Sequence, residues 1–167
     1  MAEKIELIKE KVTHNGLVDF TALYNYAYSW LKDEENYGVS ETRYNEKVSG
    51  NARDIDIEWN AYKNVSDYFS IDFKIKWEIR GLAEVEVEID GKKKKMNKGS
   101  VAVEVKGHLI RDRKSEWDAS PFYRFIREVY NKYIVPTRVD ILEDKVKDDV
   151  RKFVEVLKSI FEVIGRR

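Results

Sequence analysis

The stretch FSIDFKIKWEIRGLAEVEVEID, residues 69–90, decides how the rest of the chain is read. Phe69, Ile71, Phe73, Ile75, Trp77 and Ile79 hold its odd positions. Ser70, Asp72, Lys74, Lys76, Glu78 and Arg80 hold the even ones. Successive side chains on a strand point to opposite faces, so the pattern is a strand with one apolar and one polar side. After Gly81 the same parity continues through Ala83, Val85, Val87 and Ile89, with Glu84, Glu86, Glu88 and Asp90 between them. Laid straight, this strand would span about 70 Å at about 3.4 Å per residue. A domain of this length is only about 40 Å across. The strand must bend or break, and Gly81 is the residue that permits it.

Working outward, Asp90-Gly91 is a two-residue hairpin turn. It sets Ile89 opposite Lys92, Glu88 opposite Lys93, Glu86 opposite Lys95 and Val85 opposite Met96. Opposite-charge pairs of this kind contribute about 0.2–1 kcal/mol each. Asn97-Lys98-Gly99 reads as a second turn, and Val101, Val103 and Val105 begin another strand running to about Arg111. Upstream, Ile55, Ile57, Trp59 and Ala61 alternate with Asp54, Asp56, Glu58 and Asn60, and Arg43 to Val48 forms a weaker strand. Residues 4–13, with Ile5, Leu7, Ile8 and Val12, suit a strand or a helix, and the strand is preferred. Asn15-Gly16 reads as a turn.

Three helices complete the chain. Asp19 caps a helix of about 19–35 whose Phe20, Leu23, Tyr24, Ala27, Trp30 and Leu31 follow helical spacing. Ser120-Pro121 opens a second, with Phe122, Phe125, Ile126, Val129, Tyr130 and Tyr133 as its apolar face, ended by Pro136. A third covers about 139–164, with Val146, Val150, Phe153, Val154, Leu157, Ile160, Phe161 and Ile164 on one stripe. The expected fold is a single α+β domain over residues 1–167. It is a long bent antiparallel β-meander of five to six strands, one face covered by the N-terminal helix and the two C-terminal helices. This element order resembles the helix-grip folds of the START type, where a curved sheet wraps a long C-terminal helix and often encloses an apolar cavity. The helix at 121–134 is extra to that plan. The resemblance implies a small apolar ligand in a cavity lined by Trp59, Phe73, Trp77 and Phe125.

Composition narrows the function. The 167 residues carry 31 basic and 31 acidic side chains, a balance that argues against a dedicated nucleic-acid packaging role. The absence of Cys excludes disulfides, thiolate metal sites and cysteine nucleophiles. High balanced charge without Cys suits a thermophile. No apolar run reaches the roughly 20 residues of a membrane helix, and the first twelve residues lack a signal-peptide core, so a cytoplasmic protein without membrane insertion is expected. His14 lies beside the Asn15-Gly16 turn and is read as solvated, and His108 as a surface residue of the last strand. Glu84, Glu86, Glu88 and Asp90 are read as a solvated face paired with lysines. Glu104-Val105-Lys106, with Asp90 before it, resembles the PD-(D/E)xK nuclease motif, whose acids hold a divalent metal; Ile89 stands where that motif has proline. No P-loop, dinucleotide fingerprint or nucleophile elbow is present. No catalytic residue, metal site or cofactor is therefore assigned.

The aromatic residues, 13% of the chain, are the informative excess. Tyr24, Tyr26, Tyr28 and Trp30 point around more than half of the first helix, more than one sheet face can bury. Tyr and Trp suit interfaces, because one end is apolar and the other accepts water. The leading expectation is a non-catalytic interaction module, with Tyr24, Tyr26, Tyr28 and Trp30, and Tyr123, Tyr130 and Tyr133 of the second helix, facing a protein partner or a second copy. One alternative is the apolar-ligand protein described above. Another is an RNA- or ribosome-associated factor using Lys92, Lys93, Lys94, Lys95 and Lys98 on phosphates.

Overall fold

The computed structural model describes residues 3–66, 68–111, 121–133 and 135–165. The elements follow in the order β1 (Glu3–Val18), α1 (Phe20–Ser29), a π-helical segment (Trp30–Glu34), β2 (Gly38–Ser49), β3 (Ala52–Asn64), β4 (Phe69–Ile89), β5 (Lys92–Arg111), α2 (Pro121–Tyr133) and α3 (Val135–Gly165). All five strands form one antiparallel sheet in the order β1-β5-β4-β3-β2. Strands β2 to β5 are a meander, and β1 closes on the free edge of β5. The fold is α+β, as the periodicity requires.

Strand β4 runs the full length that its pattern predicts and bends where expected. Gly81 has φ +62, a left-handed value that favours glycine. The β4–β5 register slips between Arg80 and Ala83, so Gly81 and Leu82 together face Gly99. This is a bulge, which kinks a strand and increases its twist. Gly99 leaves no room for a side chain: a Cβ there would sit 3.0 Å from both Arg80 O and Leu82 Cα. The bulge is tied down from the other side, where Asp54 Oδ1 accepts from the Gly81 N–H at 2.9 Å and Asp56 Oδ1 from Arg80 Nη2 at 2.8 Å.

Two expected turns are absent. Asn97-Lys98-Gly99 lies inside β5, and Asn15-Gly16 lies inside β1, with Gly16 paired to Gly99. Long-range pairing of β1 with β5 overrides the local turn preference of both. The Asp90-Gly91 turn forms as read, with both residues at positive φ, and the pairing Ile89–Lys92, Glu88–Lys93, Glu86–Lys95 and Val85–Met96 is the expected register. Pro136 falls in the first turn of α3, where its missing N–H has no helical acceptor to satisfy.

The odd face of β4 and β5 is the core. Ile71, Phe73, Trp77, Val101, Val103 and Val105 are buried on it. Helix α3 seats Val146, Val150, Phe153, Leu157 and Phe161 into the core, packing mainly over β1 and β5. Each such side chain contributes about 1.5–3 kcal/mol through burial. Helix α1, capped by Asp19 Oδ1 on the Ala22 N–H, carries Leu23 and Ala27 into the same core. The bent β4–β5 arm reaches the start of α1: Asn97 Oδ1 accepts from the Phe20 N–H at 3.3 Å, and Lys94 Nζ lies 3.9 Å from Asp19.

Gly107 marks the closest approach of helix to sheet. A Cβ there would meet Val146 Cγ1 at 2.8 Å, Val150 Cγ2 at 2.9 Å and Ile8 Cγ2 at 3.0 Å. Gly107→Val should therefore push α3 off β5 and lower unfolding free energy by about 1–3 kcal/mol, the usual cost of overpacking. Urea denaturation measures this, and an unchanged midpoint would show that the contact is looser than described.

Candidate functional site

The aromatic residues of α1 divide sharply. Tyr24 and Tyr28 pack edge-on against Trp59, with ring centroids 4.9 and 5.9 Å apart. Trp59 in turn packs on Trp77 at 5.1 Å. Trp59 Nε1 donates to Tyr24 Oη at 3.0 Å, and Tyr24 Oη donates to Glu41. Trp30 is half-buried against Phe153 at 5.8 Å. Tyr24 and Tyr28 thus cover the Trp59–Trp77 end of the core, Trp30 of the π-helical segment packs on α3, and Tyr26 alone of the four is largely exposed, at 53%. Tyr26 lines a shallow apolar groove with Val156, Ile160 and Val163 of α3. Helical spacing showed which way each ring points. It could not show that two buried tryptophans on β3 and β4 wait beneath.

The cavity residues are equally divided. Trp59, Phe73 and Trp77 are fully buried within the packed core, and Phe73 stacks on Tyr37 at 4.7 Å. Phe125 does not join them: it is 61% exposed on α2. That is a correction to the sequence reading, which placed Phe125 on a buried stripe. The reason is local. Helix α2 has α3 as its main neighbour, so no sheet lies under its Phe125 face.

Helix α2 instead displays apolar side chains outward. Phe122 is 66% exposed and Val129 40%. With Phe125 they occupy i, i+3 and i+7, one face of the helix. Glu128 borders the stripe and Lys132 continues its line, and both are exposed, as is Arg124 on the far side of the helix. The side chains of Tyr123, Tyr130 and Tyr133, also expected to face a partner, lie outside the described residues. The sequence signal for the stripe was present in full, but amphipathic spacing reads the same for a covered face and an open one.

The lysine hairpin carries mixed charge. Lys92, Lys93, Lys94, Lys95 and Lys98 are exposed. Lys94 faces Asp19, and Lys95 Nζ lies 3.8 Å from Glu84 rather than from Glu86 directly opposite. Asp90 sits at the hairpin tip, whereas Glu104 lies opposite Lys76 far down the sheet, so these two acids of the nuclease-like motif do not converge. His14 is half-buried and His108 buried, so neither is the fully solvated residue expected. His14 Nε2 donates to Leu17 O (2.8 Å), and its ring stacks on Phe161 at 4.6 Å. His108 is buried, and burial, then the nearby Lys4 ammonium, hold its imidazole below the ordinary value. Among the described residues no cluster of three or more His, Asp or Glu could hold a metal ion, and no helix is long and apolar enough to cross a membrane.

No family model matches the chain, and neither curated proteins nor solved structures give a significant match. The helix-grip likeness therefore rests on element order alone.

One buried polar contact fixes the frame around these surfaces. Asp149, on the inward face of α3, accepts from Tyr37 Oη at 2.7 Å and pairs with Lys145 Nζ at 3.1 Å. Burial, then the Asp149 bond, raise the Tyr37 phenol far above its ordinary value; burial and Glu41 push Tyr24 from 10.0 up to about 12. Both rings stay neutral in the folded protein at pH values where unfolded tyrosine ionises. Stability should be intact below pH 10 and fall as pH rises above it, read as a dropping urea midpoint. Tyr37→Phe should cost about 1–3 kcal/mol at neutral pH, because the buried carboxylate loses its donor. It should also reduce the alkaline loss; an equally steep loss in the variant would show that Tyr37 is not its source.

Proposed function

We propose that this chain is a non-catalytic interaction module that self-associates through α2. The carrying observation is the outward stripe Phe122, Phe125 and Val129. Three large apolar side chains on one exposed helix face form the kind of contiguous patch that marks an interaction site, whereas isolated exposed apolar residues are ordinary. Phe is among the residues enriched at interface centres.

A second copy is the occupant that the stripe itself favours, because it can pair with its own two-fold image. In an antiparallel pair of α2 helices with a two-fold axis near residue 126, Phe122 comes against Val129 of the other copy, and the two Phe125 rings meet near the axis. The same patch then serves both subunits, which is what a two-fold dimer requires. Apolar contacts fill its centre. Ile141, 64% exposed near the start of α3, can extend the buried area. Tyr26 and its groove on the α1–α3 side remain a smaller apolar feature apart from this stripe.

Light scattering across the micromolar range tests the proposal. Wild type should give twice the chain mass at the upper end, and Phe125→Glu should give the chain mass with unchanged helical circular dichroism. A wild-type protein that stays monomeric throughout, or a Phe125→Glu variant that dimerises equally well, would contradict it.

A further inference from the structure

The even face of the sheet, opposite α1 and α3, carries a charge pattern that the aromatic surfaces do not explain. Read across the strands in register, Lys9, Lys106 and Lys74 are direct neighbours, followed by Asn60. The adjacent row is Lys11, Glu104, Lys76, Glu58 and Arg43, strictly alternating in sign. Opposite charges facing each other across strands stabilise a sheet, and like charges destabilise it. The alternating row obeys this rule. The lysine row breaks it over three successive strands.

Nor is the lysine row neutralised locally. Lys9 and Lys106 share one carboxylate, Glu104, each at 3.9 Å. Lys74 has no hydrogen-bond or ion-pair partner among the described residues. Adjacent strands lie about 4.8 Å apart, so the three lysine positions fall within about 10 Å. Lys74 and Lys106 line a groove of about 830 Å³ with Lys4, Thr42, Asn60 and Tyr62. That is the size of a small-molecule site. Toward one end, Asp72 is 4% exposed and bound by Lys4 Nζ at 2.8 Å. His108, 7% exposed and directly across from Asp72, has a buried Nδ1 without a partner among the described residues.

The chemistry narrows the ligand. Clustered ammonium groups are point charges suited to a phosphate. The same groove also holds Glu58, Asp72 and Glu104, which repel an extended polyanion such as a nucleic-acid strand. Those acids, with Asn60, Tyr62 and Thr42, instead match hydroxyl groups on a compact polar body. We propose that the row Lys9–Lys106–Lys74 binds the phosphate of a small, hydroxyl-bearing phosphomonoester, with Asn60 and Tyr62 facing its body. The site is independent of α2 and of self-association.

Glucose 6-phosphate, inorganic phosphate and glucose serve as probes in calorimetric titration at low salt, and vesicles containing phosphatidic acid in co-sedimentation. The sugar phosphate should bind saturably, inorganic phosphate more weakly and glucose not at all. Lys74→Gln should weaken sugar-phosphate binding about tenfold, the scale of one charge-assisted contact. Lys152→Gln, on the exposed side of α3, should leave it unchanged. Lys74→Gln should also keep or raise the melting temperature, because it removes like-charge repulsion. The proposal is overturned by absence of saturable sugar-phosphate binding, by equal binding in Lys74→Gln, by equal affinity for inorganic phosphate, or by binding to vesicles alone. A marked fall in the melting temperature of Lys74→Gln would make Lys74 a structural residue and overturn it too.

Discussion

A strand twice as long as the domain can hold straight is the constraint on which the structure depends. The bulge at Gly81 and Leu82 reverses the parity of β4, so Leu82 shares the core face with Ile79 while Ala83, Val85 and Val87 take the other face, and the full length over residues 69–89 still has to fit the domain. The sheet meets this by bending at one lateral line, where the Gly81 bulge faces Gly99 and Gly99 pairs with Gly16. A glycine stands at this line on each of three adjacent strands. The arm beyond it then returns to the start of α1, which Asn97 and Lys94 hold by its first residues. Without the bend, the Asp90-Gly91 hairpin would project away from the core and α1 would lose that contact.

Once the bend is in place, the two sides of the sheet take different roles. The odd side is filled: α3 seats against Gly107, and α1 closes the Trp59–Trp77 end with Tyr24 and Tyr28. The Tyr37–Asp149 bond pins the start of β2 to α3 across this core. A carboxylate so deeply buried is tolerated because a phenol and an ammonium both contact it. The even side stays open over much of its area and keeps its charges. Helix α2 neighbours α3 and leaves Phe122, Phe125 and Val129 outward. The proposed interaction surface is thus the apolar area that the core has no room to take.

Much of this was legible in the chain itself. Alternation in 69–79 named the core face, Gly81 named the bend, and Asp90-Gly91 set the hairpin register residue by residue; the expected continuation of the same parity past Gly81 failed, because the bulge puts Leu82 on the core face and Ala83, Val85 and Val87 on the other. Asp19 named the cap of α1. What failed had a common cause, namely pairing between distant segments. Asn15-Gly16 and Asn97-Lys98-Gly99 have local turn chemistry, yet β1 and β5 pair straight through both, and their glycines serve the bend instead. The lysine row was hidden for a related reason. Lys9 joins Lys106 and Lys74 only because the β1 register slips between Glu6 and Ile8, which reverses the parity of β1. For α1, spacing showed the direction of each ring but not the tryptophans that Tyr24 and Tyr28 cover. For α2, it could not distinguish a covered apolar face from an open one, and Phe125 was misplaced for that reason.

The central claim is that the apolar stripe on α2 is a contact surface. Amide proton–nitrogen correlation spectra recorded over a dilution series test this most directly, because they report where on the chain association occurs. The account predicts concentration-dependent shifts confined to residues 121–133 and the first turns of α3, with the amides of β4 and β5 unmoved. Spectra that do not change with concentration, or changes that map to the α1–α3 groove or to the sheet, would contradict it.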